Sequence, residues 1–344
     1  MPLDFQTNGG GLYLPVSKRV TPSDVHVNRP LTNISIAYVQ DAANYVSQSI
    51  FPSVPVQFQT DLYWIYDRSY LNRTEVKPRA PSSETLGMTL KYANSPYRCE
   101  VYGLHIDVDD RTLANADSPL NPMNDATVAL THQAMQFKEL SWVARYFTPG
   151  VWNLQEVGIA SAPTLGTSVL FWSDAASTPA KDVRRWKSKV RLASGGFAPN
   201  KMVISRAVYD VLLDNPSIVD AIRYSTYTGP VMVTKAALEA LFEVDEILIL
   251  DAIVNTANEG QTEVNAPIGG KNVALYYVPA SAGLQTPSAG YTFNWTSYLG
   301  GTTSQQMSSW YMQEIKSTRV EIELGFDMRI IGQDLALFGS NVIA

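Results

Sequence analysis

The sequence has little charge and few residues that could form covalent or metal cross-links. Charged residues make up 17% of its 344 residues, below the usual share of about 25%. The single cysteine, Cys99, excludes an internal disulfide, and three widely separated histidines offer no metal-ligand spacing. Hydrophobic residues at 45% exclude a disordered chain. A sparsely charged exterior therefore favours burial against other subunits.

Several functional classes are also excluded by what the sequence lacks. No apolar run reaches the roughly 20 residues of a membrane-spanning helix, and no signal peptide opens the chain. A net charge of −6 argues against wrapping nucleic acid by bulk electrostatics. Glycine-rich phosphate loops and the Gly-x-Ser-x-Gly elbow are absent. We therefore expect a soluble cytoplasmic protein with no cofactor and no catalytic or metal site.

The N-terminal segment is unusually apolar. Between Pro30 and Thr60 the only charged residue is Asp41. Such a segment cannot stay in water and must lie against a core, in its own subunit or in a neighbour. We expect that removing residues 1 to 50 leaves a folded body that no longer assembles.

Two strand patterns follow, with a long polar connection between them. Asp61–Tyr66 is aromatic and β-branched, and apolar residues alternate with others over Tyr102–Val108. Together they predict a long, projecting β-hairpin. Its connection carries four cations, which could be solvated, contact phosphate or pair with carboxylates of a neighbour: Arg68, Arg73, Lys77 and Arg79.

A helix is predicted from about residue 125 to 147, capped by Asn124 or Asp125. Its apolar stripe consists of Leu130, Ala134, Phe137, Leu140, Ala144 and Phe147. Residues from about 175 to 290 alternate helix and strand signals, which predicts an α/β lobe. The closing segment is a clear strand, in which Val320, Ile322, Leu324 and Phe326 alternate with Arg319, Glu321 and Glu323.

One cluster has residue types that could bind a metal. His105, Asp107 and Asp109 are alternate residues of a strand and would share one face. The competing interpretation, which we favour, is the charged face of an edge strand that discourages unwanted pairing. A hydrolase using His105 and Asp107 is a weaker alternative.

The order of these parts resembles the major capsid protein of tailed double-stranded-DNA bacteriophages. Short phrases strengthen the resemblance: Arg79-Ala-Pro81, Tyr97-x-Cys99-x-x-Tyr102-x-Leu104, Pro199 to Ser205, Val244-Asp-Glu-Ile-Leu-Ile, Gly269 to Tyr277, and Pro287 to Phe293. The resemblance implies an α+β capsid fold in five segments. These are an N-terminal arm (1–56), an extended two-stranded loop (57–112), a peripheral domain with a long spine helix (113–174), an axial α/β domain (175–300), and closing strands of the peripheral domain (301–344).

The resemblance also implies function and partners. The chain would be a non-enzymatic shell subunit that assembles with itself as hexamers and pentamers and encloses DNA without sequence-specific binding. It would reside in the virion capsid, assemble in the host bacterial cytoplasm, and need a separate scaffolding protein and a portal. Candidate inter-subunit contacts are Arg68, Arg73, Lys77, Arg79, Glu321 and Glu323. A cellular nanocompartment shell packaging an enzyme is the alternative.

Overall fold

The structure is a computed structural model that describes residues 44–66, 72–74, 76–85, 87, 89, 92–116, 120–225, 233–258, 260–283, 286–299 and 305–344. Its helices are α1 Ser47–Ile50, α2 Asp110–Asn115, α3 Pro122–Tyr146, α4 Pro179–Ser194, α5 Arg206–Asp214, α6 Pro216–Ser225, α7 Lys235–Phe242 and α8 Thr296–Leu299. Its strands are β1 Ser53–Val56, β2 Thr60–Tyr66, β3 Tyr92–Arg98, β4 Glu100–Asp109, β5 Leu154–Ile159, β6 Ser168–Leu170, β7 Lys201–Ser205, β8 Glu246–Leu250, β9 Ile253–Asn255, β10 Asn265–Pro267, β11 Val273–Tyr276, β12 Gly290–Trp295, β13 Gln305–Met312, β14 Ser317–Ile330 and β15 Ala336–Ser340.

The first large sheet is built around the long strand β14. Its N-terminal part pairs with β4 and with β13, and its C-terminal part pairs with β12. Strand β1 then pairs in parallel with β12. Val320, Ile322 and Phe326 are buried, whereas Arg319 and Glu321 point to the opposite, more accessible face. The predicted alternation of the closing strand is therefore confirmed.

Helix α3 packs against β4 and β14. It has 25 residues, or about 37 Å at 1.5 Å per residue. The side chain of Asn121 caps its first turn by accepting from the backbone N–H of Asn124, and Pro122 occupies the first helical position. The helix thus begins slightly earlier than the sequence predicted, and it ends at Phe147 as expected.

The buried stripe of α3 differs from the predicted one in its second half. Leu130 and Ala134 are buried as expected, but Phe137 is 37% exposed and Ala144 is exposed. The buried side advances by four residues at a time: Ala126, Leu130, Ala134, Lys138, Trp142 and Tyr146. Charged Lys138 hid this register from a hydrophobicity pattern. The ring of Phe137 packs at the margin instead, 4.8 Å from the ring of Tyr102.

The second large sheet has the order β6-β5-β15-β11-β7-β8. Its side chains alternate between two cores, so that Met202 and Ile204 face one core while Val203 faces the other. Helices α4 to α7 contribute to the first of these cores, and α3 contributes to the second. The central region therefore forms the predicted α/β layer, with α4 to α7 packed on one face of its sheet and α3 on the other.

The sheets do not follow the sequence order of the predicted segments. Strand β15, predicted among the closing strands, lies between β11 and β5 in the second sheet. Strand β12 falls within the range 175–300 but pairs with β14 in the first sheet. Because the chain passes repeatedly from one sheet to the other, the backbone itself connects the two sheets. Local sequence patterns carry no information about these crossings.

The hairpin prediction was right about β2 and wrong about its partner. Strand β2 pairs with β3 from Thr60↔Arg98 to Tyr66↔Tyr92. The Tyr102–Val108 segment lies in β4 and pairs with β14 in the body. The β3 segment Tyr92–Arg98 lacks a β-branched run and contains Pro96, so its composition gave no strand signal.

Residues 1–43 of the arm lie outside the described residues, and the rest of the arm belongs to the subunit's own core. Val46, Ile50 and Phe51 are at most 1% exposed and share a core with α3. The ring of Phe51 lies so close to Gly290 that a Cβ there would approach it within 2.4 Å. Removing residues 1 to 50 would therefore open this core, and we now expect that deletion to destabilise the body rather than to leave it largely folded.

Candidate functional site

The hairpin formed by β2 and β3 is anchored firmly at its base. Tyr97 stacks on Phe293 at 4.6 Å and Tyr63 stacks on the same ring at 5.4 Å. Cys99 is fully buried next to them, and its thiol donates to the carbonyl of Phe293. Burial raises the pKa of the Cys99 thiol to about 12, so this side chain is an inert packing group.

The hairpin and the bend that leads into it expose a large apolar surface. Phe58, Leu62, Trp64 and Tyr92 are between 50% and 64% exposed. The rings of Trp64 and Tyr92 pack edge to face at 5.2 Å, which fixes them as one aromatic pair. A two-stranded sheet is marginal by itself and an exposed apolar surface is unfavourable in water. We therefore treat Phe58, Leu62, Trp64 and Tyr92, which we call the hairpin face, as a candidate contact surface.

The four loop cations can be located only in part. Arg68 lies outside the described residues. Arg73, Lys77 and Arg79 are exposed, and the Nε of Arg79 donates to the carbonyl of Ser83. The guanidinium of Arg79 therefore also supports the conformation of its own loop.

Glu321 and Glu323 lie on the accessible face of β14. In the β4–β14 register they stand opposite His105 and Gly103. An oxygen of Glu323 accepts from the hydroxyl of Tyr298 at 3.1 Å, and this hydrogen bond raises the pKa of Tyr298. Glu323 therefore has a partner in its own chain, while both carboxylates remain accessible to a second subunit.

The structure does not support a metal site at His105, Asp107 and Asp109, because the two carboxylates have other partners. Both oxygens of Asp107 accept from Arg319, at 2.7 and 2.9 Å. The carboxylate of Asp109 instead caps helix α2 by accepting from the N–H of Arg111 at 2.7 Å. Nowhere in the described parts of the chain do three or more potential ligands gather as a metal site. The interpretation as an edge strand holds, since β4 pairs along one side with β14.

Sequence reasoning missed a buried carboxylate that binds the N-terminal arm at residues 45–47, a segment that we call the arm root. Glu139 is fully buried in α3, and its oxygens accept from the backbone N–H groups of Val46 and Ser47 at 3.0 and 2.9 Å. Burial raises the pKa of Glu139. Tyr45 adds a hydrogen bond to His132 at 3.0 Å. The only sequence signal was a charged pair, Lys138 and Glu139, inside a long apolar helix pattern.

Comparisons with known proteins support the family resemblance directly. A family model described as phage major capsid protein E matches residues 168–286. The chain is 25% identical over 321 residues to the major capsid protein of Pseudomonas phage JBD67, covering 92% of this chain and 97% of that protein. Among the described residues, no helix is both long and apolar enough to cross a bilayer.

Solved structures share the fold. A phage-related protein from Bordetella bronchiseptica superposes with a TM-score of 0.65 at 20% identity, covering 87% of this chain and 92% of that one. The mature capsid of bacteriophage PhiM1 gives a TM-score of 0.56 at 12% identity, covering 92% of each chain. The hairpin, the long helix and the α/β layer described above are therefore parts of a capsid fold, and over most of its length the chain is similar in sequence to phage major capsid proteins.

Proposed function

We propose that copies of this chain form hexamers and pentamers that enclose double-stranded DNA, and that the hairpin face of each copy lies on the neighbouring copy. The observation that carries this proposal is the exposure of Phe58, Leu62, Trp64 and Tyr92 on a hairpin whose base is firmly packed. Covering these side chains would remove apolar surface from water, which stabilises an interface by roughly 25 cal/mol per Å² before the costs of association.

Electrostatic contacts add to this surface. Arg68, Arg73, Lys77 and Arg79 would lie near carboxylates of the neighbouring copy, and Glu321 and Glu323 are the accessible candidates on β14. Each exposed pair contributes only about 0.2–1 kcal/mol, but a closed shell repeats it in every subunit. Such contacts favour correct orientation more than affinity.

The remaining parts of the proposal concern partners and place. A separate scaffolding protein and a portal would assist assembly in the host bacterial cytoplasm, and the subunit would have no enzymatic activity. A nanocompartment shell uses a related fold class but packages an enzyme. The phage relatives favour the capsid, and nuclease-resistant DNA in purified particles, rather than a protein cargo, distinguishes the two.

The experiment changes the hairpin face and leaves the base intact. The double variant Leu62→Ser with Trp64→Ser should keep the thermal unfolding of the free subunit but strongly reduce closed particles seen by electron microscopy. Val264→Ser is the matched control, because Val264 is 55% exposed but lies outside the hairpin. Normal particle yield from the double variant would refute the proposed contact. A large loss of subunit stability would place the hairpin face inside the subunit's own fold.

A further inference from the structure

Helix α4 carries an unusual density of positive charge for an acidic chain. Its 16 residues include one acid, Asp182, and six cations: Lys181, Arg184, Arg185, Lys187, Lys189 and Arg191. The whole protein has a net charge of −6. The cations of α4 therefore form a local positive surface that composition alone conceals.

Three of the six cations are neutralised inside the subunit. Arg185 and Lys189 contact Glu156, whose side chain is fully buried, at 2.7 and 3.3 Å. Lys187 lies 3.6 Å from Glu243. These pairs hold α4 against β5 and the end of α7, which is a sufficient structural reason for three of the charges.

The other three cations point away from the subunit. Lys181, Arg184 and Arg191 are exposed, and none has an ion-pair partner in the part of the chain that the structure describes. They share one side of the helix with the exposed hydroxyl of Ser188, since the four residues follow spacings of three and four. We call these four residues the α4 stripe.

The dimensions of the stripe fit a polyanion better than a single small anion. Lys181 and Arg191 are ten positions apart, or about 15 Å along the helix. The same length of duplex DNA carries about nine phosphate charges on its two strands, so the phosphates that face the helix are dense enough to contact several of these cations at once. Lys, Arg and Ser side chains are the usual donors to phosphate oxygens, and such contacts carry no sequence information.

We propose that the α4 stripe binds the phosphate backbone of duplex DNA on the inner side of the shell. This inference rests on the proposed function, since it requires a shell that encloses DNA. The subunit as a whole is net acidic, and the α4 stripe would be one defined DNA contact on the shell that it forms. An acidic surface of a second subunit is the competing occupant, and the experiments below separate the two.

The first experiment measures binding of full-length subunit to a short DNA duplex as salt is varied. Three phosphate contacts predict a slope of log affinity against log salt of about −2.7, a loss of about 40-fold between about 50 and 200 mM salt. The variant Arg184→Gln with Arg191→Gln should bind more weakly and lose only about 3- to 4-fold over the same range. Duplexes of different sequence should bind equally.

The matched control removes two cations from the same lobe. Arg206 pairs with Asp210 and Asp251, and Lys235 lies 3.8 Å from Glu239. The variant Arg206→Gln with Lys235→Gln should retain the parent's slope. Equal losses in both double variants would show diffuse attraction and overturn the proposal. Unchanged DNA binding by the stripe variant together with a lower yield of closed particles would assign the stripe to a subunit contact instead.

The second experiment tests which side of the shell the stripe faces. The natural thiol of Cys99 is buried and has its pKa raised to about 12, so Ser188→Cys supplies a single reactive thiol. A bulky maleimide should label this thiol in free subunits and in disrupted particles but not in intact ones. Labelling of intact DNA-filled particles would place the stripe outside and overturn the proposal. Failure to form any particle would count against the proposed function, whereas the binding experiment would still report on the stripe.

Discussion

The burial of helix α3 can be tested by two aliphatic residues that lie two positions apart. Leu130 is fully buried between α3 and the first sheet, whereas Val128 is 45% exposed on the same helix. Replacing a buried leucine with alanine removes its transfer free energy and leaves a cavity, which together cost about 3–5 kcal/mol. Val128→Ala changes a surface side chain and should cost less than about 1 kcal/mol.

The expected loss converts into a measurable change in melting temperature. An unfolding entropy of about 2.1 cal/mol/K per residue gives about 0.7 kcal/mol/K for this chain. Leu130→Ala should therefore lower the melting temperature of the free subunit by about 4–7 °C, and Val128→Ala by about 1 °C or less. Calorimetry of the unassembled subunit and urea titration should agree on the order of the two variants.

The result that would refute the reasoning is a similar effect of both substitutions. A loss below about 1 kcal/mol for Leu130→Ala would show that the face carrying Leu130 does not meet the first sheet. A larger loss for Val128→Ala than for Leu130→Ala would mean that the helix is rotated about its axis. Either outcome would also remove the support for the buried positions of Lys138 and Trp142, which follow the same spacing.

Two further predictions concern charge. Reversing Arg73 and Lys77 together to Glu should leave the melting of the free subunit nearly unchanged and lower particle yield most at low salt, where repulsion is least screened; normal yield at every salt concentration would remove these cations from the interface. Burial lowers the pKa of Lys138 from its ordinary value of 10.5 to about 8, so the unfolded chain binds more protons between those pH values and stability should rise with pH there. Lys138→Met should lack this rise in the free energy of unfolding, which is on the order of 3 kcal/mol at most. Parallel profiles of stability against pH for the parent and the variant would contradict the burial of Lys138.

The predictions that held were those carried by local signals. Such local signals also mark both ends of α4, since proline is favoured at its first position, Pro179, and Gly195 accepts the positive φ of 78° beyond its last turn. The alternation of β14 was readable because one face of the strand is buried. The family resemblance was readable from the order of such parts along the chain.

The predictions that failed depended on contacts between distant residues. Strand β2 pairs with β3, whose composition is weak in strand-forming residues, because the ladder between the two strands and the stacking of Tyr97 on Phe293 outweigh intrinsic propensity. Phe137 was placed in the core because it is large and apolar, yet the sheet accepts the face that carries Lys138. A hydrophobicity pattern could not reveal this, since it counts a buried lysine as exposed.

Sequence by itself determined the sparsely charged composition, the approximate extent of the long helix, the alternating closing strand and the likeness to a capsid subunit. Tertiary structure alone decided that Glu139 holds the arm root, that Asp107 is used by Arg319, and that three cations of α4 are neutralised while three point outward. The physical reason is the distance along the sequence over which each interaction acts. Caps and periodicity act within a few residues, whereas the partner of a charge is set by segments that meet only after the chain has folded.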